Sequence, residues 1–139
     1  MADPTLPLVS IVIPVRNEAA FIGRSLSSVL AQDYPMSQVE ILVVDGMSKD
    51  GTRQTVEDFV RRSPHMRLFD NPGRIVPTAL NIAFRVALGQ WLLRLDAHSI
   101  YPPNYLRLCI ETAQRTGADN VGGICVTLPR DGSVGARLV

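Results

Sequence analysis

The 139-residue sequence has few features of membrane, secreted or nucleic-acid-binding proteins. Charged residues interrupt every apolar run well before the roughly 18 residues of a membrane span. Residues 1–5 lack the basic start of a secretion signal. Fourteen basic residues balance 13 acidic ones without a basic cluster, which argues against a nucleic-acid partner. We therefore expect a soluble, cytoplasmic protein, with the inner face of the membrane as a further location of a full-length form.

Cysteines and the common nucleotide-binding loops are equally scarce. Cys109 and Cys125 are isolated among apolar residues, which predicts two small buried side chains rather than a disulfide or a metal pair. Neither G-x-G-x-x-G nor G-x-x-x-x-G-K-[ST] occurs, which counts against dehydrogenases and ATPases. A G-x-S-x-G nucleophile elbow and a zinc cluster are also missing from the sequence.

The sequence does contain short apolar runs that alternate with helical patterns. The runs predict buried strands at residues 8–15, 39–44, 66–69, 91–95 and 120–126. The spacing of apolar residues predicts helices at 20–31, 52–60, 78–87 and 102–116. Four strand–helix alternations with short connections predict a three-layer α/β/α domain with a mostly parallel sheet.

In an open sheet of this kind, ligands bind beyond the carboxyl ends of the strands. Asp45 and Gly46 end the second predicted strand and permit two interpretations. An Asp-Gly pair turns the chain in many proteins. A carboxylate offers only acceptors, however, and the N3–H of uracil is a donor, so Asp45 can instead recognise a base.

Asp96, Ala97 and His98 follow the fourth predicted strand. If the chain stays extended there, the side chains of Asp96 and His98 leave the same face, where one divalent cation can contact both. Mg²⁺ or Mn²⁺ would neutralise charge on a departing diphosphate. The alternative is a turn carboxylate beside a surface histidine.

Three other polar positions are also candidates, and two of them have two interpretations. Glu18 either caps the first helix or contacts a ligand. Arg74 either is solvated in its loop or contacts a base or phosphate. Asp50, before Gly51 and Thr52, is best explained as part of a helix cap.

Five segments together resemble the family-2 inverting glycosyltransferases, which have the GT-A nucleotide-diphosphosugar transferase fold. They lie in the family's order over nearly the whole chain, at residues 9–18, 41–52, 71–74, 79–81 and 87–98. The wording Arg-Leu-Asp-Ala-His at 94–98 looks like the branch that builds bacterial exopolysaccharides such as succinoglycan.

The resemblance implies a nucleotide pocket and a cation site. Its nucleotide-binding residues carry over to Pro14, Val15, Asn17, Glu18, Asp45, Arg74 and Asp96. Asp96 and His98 are then the metal residues for Mn²⁺ or Mg²⁺. His98 stands where the family most often has Asp, and imidazole would favour Mn²⁺ if it binds the ion directly. Alternatively, His98 hydrogen-bonds the diphosphate and Asp96 alone holds the ion.

We therefore expect residues 1–139 to be the nucleotide-sugar-binding N-terminal part of one glycosyltransferase domain, an incomplete GT-A fold. The family's catalytic base and acceptor-binding region are expected after Val139, so no catalytic residue is assigned within the chain. An unfinished sheet edge would expose apolar surface, and we expect the piece to self-associate or to be marginally stable.

The predicted reaction transfers a sugar from a nucleotide-diphosphate sugar, with UDP as the nucleotide, to a carbohydrate or lipid-linked acceptor hydroxyl in polysaccharide biosynthesis. It is a metal-assisted inverting displacement. Two alternatives stay open. A non-catalytic α/β binding module predicts no metal-dependent nucleotide binding. A sugar-phosphate nucleotidyltransferase usually has a glycine-rich basic loop after its first strand, where this sequence reads Pro-Val-Arg-Asn-Glu at 14–18.

Overall fold

A computed structural model describes residues 6–125 and confirms the alternation of strands and helices. The strands are β1 (Val9–Val15), β2 (Val39–Asp45), β3 (Met66–Asp70) and β4 (Trp91–Arg94). The helices are α1 (Ile22–Leu30), α2 (Thr52–Arg62), α3 (Val76–Val86) and α4 (Tyr105–Thr116). A short 3₁₀ helix, Met36–Gln38, precedes β2.

The four strands form a parallel sheet in the order β3-β2-β1-β4. All seven residues of β1 pair with β2, from Val9 opposite Val39 to Val15 opposite Asp45. The chain adds β2 and β3 on one side of β1 and then returns to place β4 on the other side. The loops that follow β1 and β4 therefore diverge at the carboxyl edge, which creates a crevice at this switch point.

Two apolar cores cover the two faces of the sheet and confirm the three layers. On one face, Ile11, Ile13 and their neighbours pack against buried residues of α1, α2 and α4. On the other face, Val12 packs with Ala79 and Ala83 of α3. Successive side chains of β1 alternate between the two cores because a strand directs them to opposite faces. Among residues 6–125, no helix is both long and apolar enough to cross a bilayer.

The prediction of a fifth strand at 120–126 is wrong for residues 120–125, which have no strand pairing; residue 126 lies outside the described residues. Gly122 and Gly123 contribute no side chains that would pack on a sheet. The N–H of Gly123 instead donates to the Tyr105 hydroxyl at 3.3 Å. A run of apolar residues was thus insufficient to form a strand without packing partners.

The two cysteines have different environments, and the expectation that both are buried is wrong for Cys125. Cys109 is buried on α4, and burial raises the pKa of its thiol. Cys125 is exposed, and both thiols are free.

Three helix starts differ from the prediction: α1 begins at Ile22 rather than at residue 20, and the other two differ because of prolines. Helix α3 begins at Val76, since Pro77 fits the first turn without an N–H. Helix α4 begins at Tyr105, after Pro102 and Pro103, whose carbonyls accept hydrogen bonds from Gln32 and from the Asp33 N–H, both at 2.7 Å. The prolines therefore fasten the chain to the end of α1 before the helix starts.

Candidate functional site

A cleft of about 310 Å³ lies at the carboxyl edge of the sheet. Its walls come from the loops after β1, β3 and β4, the end of β2 and the first turn of α3: Pro14, Val15, Arg16, Glu18, Val44, Gly46, Asn71, Arg74, Ile75, Val76, Ala79, Arg94, Asp96, Ala97 and His98. The structure thus brings six predicted residues to one site: Pro14, Val15, Glu18, Arg74, Asp96 and His98. Asn17 and Asp45 are not among the residues that line it.

Asn17 instead connects the loops after β1 and β2. Its side-chain oxygen accepts the Lys49 N–H at 2.9 Å, and its own N–H donates to the Ser48 hydroxyl at 2.9 Å. Asn17 has a φ of 52°, a left-handed conformation that asparagine tolerates better than most residues. Its place in the described structure is therefore that of a loop connector beside the cleft.

Asp45 is fully buried at the end of β2. One carboxylate oxygen accepts the Ser48 hydroxyl at 2.5 Å, and the other lies 3.5 Å from the Arg53 guanidinium. The N–H of Ser48 also donates to this carboxylate at 3.2 Å. Asp45 thus holds the loop that follows β2, in agreement with the turn interpretation, and a base would reach it only if these partners moved.

Asp50 also holds the start of α2. Its carboxylate accepts the N–H of Thr52 at 3.1 Å and, from the neighbouring loop, the N–H of Ala19 at 3.1 Å. The hydrogen bond from the Thr52 hydroxyl is the main cause that lowers the pKa of Asp50. The helix-cap interpretation of this segment agrees with these contacts.

Asp96 has a fixed backbone and a half-exposed carboxylate. Its N–H donates to the Tyr101 hydroxyl at 2.7 Å, and its carbonyl accepts the Ser25 hydroxyl at 3.3 Å. Burial raises the pKa of Tyr101, so this phenol stays neutral. The Asp96 carboxylate pairs with Arg94 at 3.3 Å.

The chain is not extended from Asp96 to His98, although an extended chain was the condition for the two side chains to leave the same face. Ala97 and His98 form a turn after β4, and Ala97 is buried. Both polar side chains nevertheless line the cleft. The turn therefore brings the Asp96 and His98 side chains to one site, as an extended chain was expected to do.

His98 and Glu18 connect the loops after β4 and β1. The Nδ1 atom of His98 lies 3.2 Å from Oε1 of Glu18. This contact favours the tautomer with the proton on Nδ1, which leaves Nε2 as an acceptor. The Glu18 side chain does not cap α1, since it is the Glu18 carbonyl that accepts the N–H groups of Phe21 and Ile22.

Arginines outnumber acidic residues in the lining of the cleft, with Arg16, Arg74 and Arg94 against Glu18 and Asp96. Arg74 and Arg16 both line it, and neither guanidinium has an acidic partner within residues 6–125. A Cβ at Gly46 would lie 3.2 Å from the Arg16 Cβ, so the aliphatic part of Arg16 packs over this glycine. Arg16 was not among the predicted site residues, although its place between Val15 and Asn17 in a strand-end loop was a usable signal.

The two predicted metal residues, Asp96 and His98, would form only part of a coordination shell. No group of three or more His, Cys, Asp or Glu side chains that would hold an ion occurs in the described part of the chain. Asp96 and His98 suit a cation that takes its other ligands from a bound diphosphate, as Mg²⁺ sites commonly do. A histidine that donates its other ring N–H to a carboxylate, as His98 is placed to do toward Glu18, is the usual arrangement of a metal-ligating imidazole.

The parallel sheet and the cleft at its switch point define an α/β domain, and its similarity to solved structures shows that it has the GT-A glycosyltransferase fold. The mannosyltransferase PcManGT from Pyrobaculum calidifontis, solved with GDP-Man and Mn²⁺, superposes with a TM-score of 0.73 and 33% identity over 80% of this chain and 34% of that one. TarS of S. aureus in complex with UDP gives a TM-score of 0.70 and 25% identity over 80% of this chain and 33% of that one.

The chain belongs to glycosyl transferase family 2, whose sequence model matches residues 10–135. It is 36% identical to the succinoglycan biosynthesis protein ExoA of Rhizobium meliloti over 113 residues, and the matched region covers 80% of this chain and 34% of ExoA. It is 35% identical over 135 residues to the glycosyltransferase AglE of Haloferax volcanii, covering 96% and 44% of the two chains. The chain thus spans less than half the length of these relatives. The resemblance to the succinoglycan branch is confirmed.

Proposed function

We propose that this chain forms the donor-binding part of an enzyme that transfers a sugar from a nucleoside-diphosphate sugar to an acceptor hydroxyl. The observation that carries the proposal is the composition of the cleft. The guanidinium groups of Arg16 and Arg74, which have no acidic partner among residues 6–125, lie in the same cleft as Asp96 and His98. Guanidinium groups suit phosphate oxygens, and the acidic and imidazole groups suit a cation bound to the same diphosphate.

The proposed donor nucleotide is UDP. TarS, similar in fold and sequence, was solved with UDP, whereas PcManGT was solved with GDP-Man, so guanosine is the alternative to test. The Asp45 carboxylate can accept the N3–H of uracil if the Ser48 hydroxyl gives up its hydrogen bond. The Ser48 hydroxyl also accepts the Asn17 N–H. A movement of Ser48 away from Asp45 would therefore affect Asn17, the other predicted nucleotide-binding residue of this region.

The proposed cofactor is Mn²⁺ or Mg²⁺, held by Asp96 and His98 together with diphosphate oxygens. When bound, the ion would neutralise charge on the departing diphosphate. Glu18 would fix the orientation of the His98 ring, and Tyr101 and Ser25 would fix the backbone at Asp96. These residues would therefore present two ligands in a prearranged position.

The proposed transfer is an inverting displacement. The acceptor oxygen forms a bond to the anomeric carbon while the bond from that carbon to the diphosphate oxygen breaks, and the diphosphate leaves with the electron pair. The hydroxyl proton passes to a general base, which we do not assign to any residue of the cleft. The relationship to ExoA, a succinoglycan biosynthesis protein, supports a role in polysaccharide biosynthesis, and the proposed acceptor is a carbohydrate or lipid-linked hydroxyl.

Calorimetric titration tests the donor site directly. We expect UDP to bind in the presence of Mn²⁺, GDP to bind more weakly, and Asp96→Asn to reduce the Mn²⁺-dependent affinity by about tenfold, since it removes a charged ligand. Glu111→Gln is the matched control, because Glu111 lies on α4 and pairs only with Arg107 among the described residues.

Two results would contradict the proposal. A folded chain that binds neither UDP nor GDP with Mn²⁺ would favour a non-catalytic binding module. Release of pyrophosphate from a nucleoside triphosphate and a sugar phosphate would favour a nucleotidyltransferase.

A further inference from the structure

Asn71 is a buried polar residue in the wall of the cleft, only 1% exposed, immediately after β3. All of its polar groups have partners. Its N–H donates to the Asp45 carbonyl at 2.8 Å, and its carbonyl accepts the Arg74 N–H at 3.0 Å. Its side-chain amide donates to the Ile75 carbonyl at 2.9 Å, and its side-chain oxygen accepts the Thr78 hydroxyl at 2.8 Å. Asn71 thus joins the end of β2, the loop and the start of α3.

The loop between these contacts has an unusual backbone. Arg74 has a φ of 62°, in the left-handed region that an arginine seldom adopts. Gly73 allows the loop to close, since a Cβ there would lie 2.6 Å from the Thr78 hydroxyl oxygen. The Thr78 hydroxyl also lies 2.8 Å from the Ile75 carbonyl. Contacts on both sides of Arg74 therefore hold its backbone in a conformation that it would not keep by itself.

We propose that Asn71 is the positioning residue for Arg74. By fixing the left-handed turn, it keeps the Arg74 guanidinium at the cleft, where it binds the nucleoside diphosphate of the proposed function, on which this inference rests. Asn71 does so through hydrogen bonds to the backbone of Arg74 and Ile75 and needs no contact with the ligand. Its effect on nucleotide affinity consequently depends on the presence of the Arg74 side chain.

A double-mutant cycle measures this dependence. UDP with Mn²⁺ is titrated into the wild-type chain, Arg74→Ala, Asn71→Ala and the double variant. We expect each single substitution to weaken UDP binding by about tenfold, as for the loss of a charge-assisted contact. The double variant should be no more than about twofold weaker than Arg74→Ala alone. If Asn71→Ala weakens binding equally in the presence and absence of Arg74, the inference is wrong.

Thr78 offers a milder pair of variants in case Asn71→Ala does not fold. Thr78→Val removes the hydroxyl at nearly constant volume, whereas Thr78→Ser keeps it. We expect Thr78→Val to weaken UDP binding and Thr78→Ser to retain most of the wild-type affinity. Equal affinities for the two variants would contradict a role of this hydroxyl in holding the loop.

A ligand-free measurement separates this inference from the proposed function. Limited digestion with trypsin reports the rate of cleavage after Arg74 relative to cleavage after Arg115, which lies in the last turn of α4. We expect Thr78→Val to raise this ratio, because the loop is released while α4 is unchanged. An unchanged ratio would overturn the inference even if UDP binds, and a wild-type chain without UDP affinity would overturn the proposed function even if the ratio rises.

Discussion

At the scale of single residues, the Asp45 carboxylate has no exposed surface, and its paired cation is Arg53 at 3.5 Å. Arg53 also pairs with Asp70 at 2.5 Å and with Glu57 at 3.0 Å, so one guanidinium connects the ends of β2 and β3 with α2. A buried carboxylate that loses its cation keeps its desolvation penalty. Arg53 therefore offsets part of the cost of burying the Asp45 carboxylate.

We predict that Arg53→Met lowers the free energy of unfolding by about 1–3 kcal/mol, because it leaves Asp45 without its cation. Urea unfolding followed by circular dichroism measures the change. Arg61→Met is the control on the same helix, since Arg61 pairs with the exposed Asp58, and it should change the stability by less than about 0.5 kcal/mol. Equal losses for the two variants would show that Asp45 does not depend on Arg53.

At the scale of elements, Glu40 fastens the connection between α3 and β4 to the centre of the sheet. Its carboxylate accepts the Leu88 N–H at 2.6 Å and the Ser10 hydroxyl at 2.5 Å, and it pairs with Arg67 at 2.8 Å. Burial alone would raise the pKa of Glu40, but these three partners together outweigh it and lower the pKa. The ionised form is thus the one that the fold stabilises.

A lowered pKa in the folded state means that Glu40 stabilises the fold above its unfolded pKa and that this contribution is lost as the pH falls through its folded pKa. We predict that the wild-type stability declines as the pH is lowered from about 5 to 3. Glu40→Gln should be less stable at pH 7 and should show a smaller decline. Thermal unfolding of both proteins across this range measures the difference, and parallel curves would contradict the prediction.

Gly89 lies in the same connection, where the backbone of β1 leaves no room for a side chain. A Cβ at this position would lie 2.4 Å from the Ser10 nitrogen and 2.9 Å from the Trp91 carbonyl oxygen. We predict that Gly89→Ala lowers the free energy of unfolding by about 1–3 kcal/mol, because backbone atoms must shift. Gly122→Ala, with no atom within 4 Å of its Cβ, is the matched control for denaturant unfolding. A Gly89→Ala variant as stable as this control would show that the backbone around residue 89 can shift to accommodate a Cβ at little cost.

At the scale of the whole molecule, periodicity predicted the four strands and four helices of the sheet domain, together with a fifth strand that has no pairing within residues 120–125. The runs around Ile11 and Ile41 are apolar without interruption because both strands are covered on two faces. Residues 120–125 also contain apolar side chains, but they include Gly122 and Gly123 and have no strand pairing. Local sequence cannot report whether a neighbouring strand is available, so the number of strands required the structure.

The candidate site was predictable to the extent that it follows from strand ends. Asp96, His98 and Arg74 line the cleft because parallel strands bring their carboxyl ends to one edge. The burial of Asp45 and the pairing of His98 with Glu18 depend on side-chain positions across separate loops. The place of Arg16 likewise depends on its contact with the distant Gly46, and that of Asn71 on a loop geometry that brings it to Thr78.

The edge strand β4 leads to a prediction about association. No strand pairs with its outer side within residues 6–125, and Leu92 on this strand is 48% exposed. An edge strand that has no strand partner in the described part of the chain and carries an exposed leucine favours pairing with another chain. We predict concentration-dependent self-association in sedimentation velocity experiments, and Leu92→Lys should shift the population toward monomer because charge at an edge opposes pairing.

Leu108→Lys, on the exposed side of α4, is the control and should leave the association unchanged. A wild-type chain that stays monomeric at all concentrations, or an equal effect of both lysines, would show that the β4 edge is not the contact.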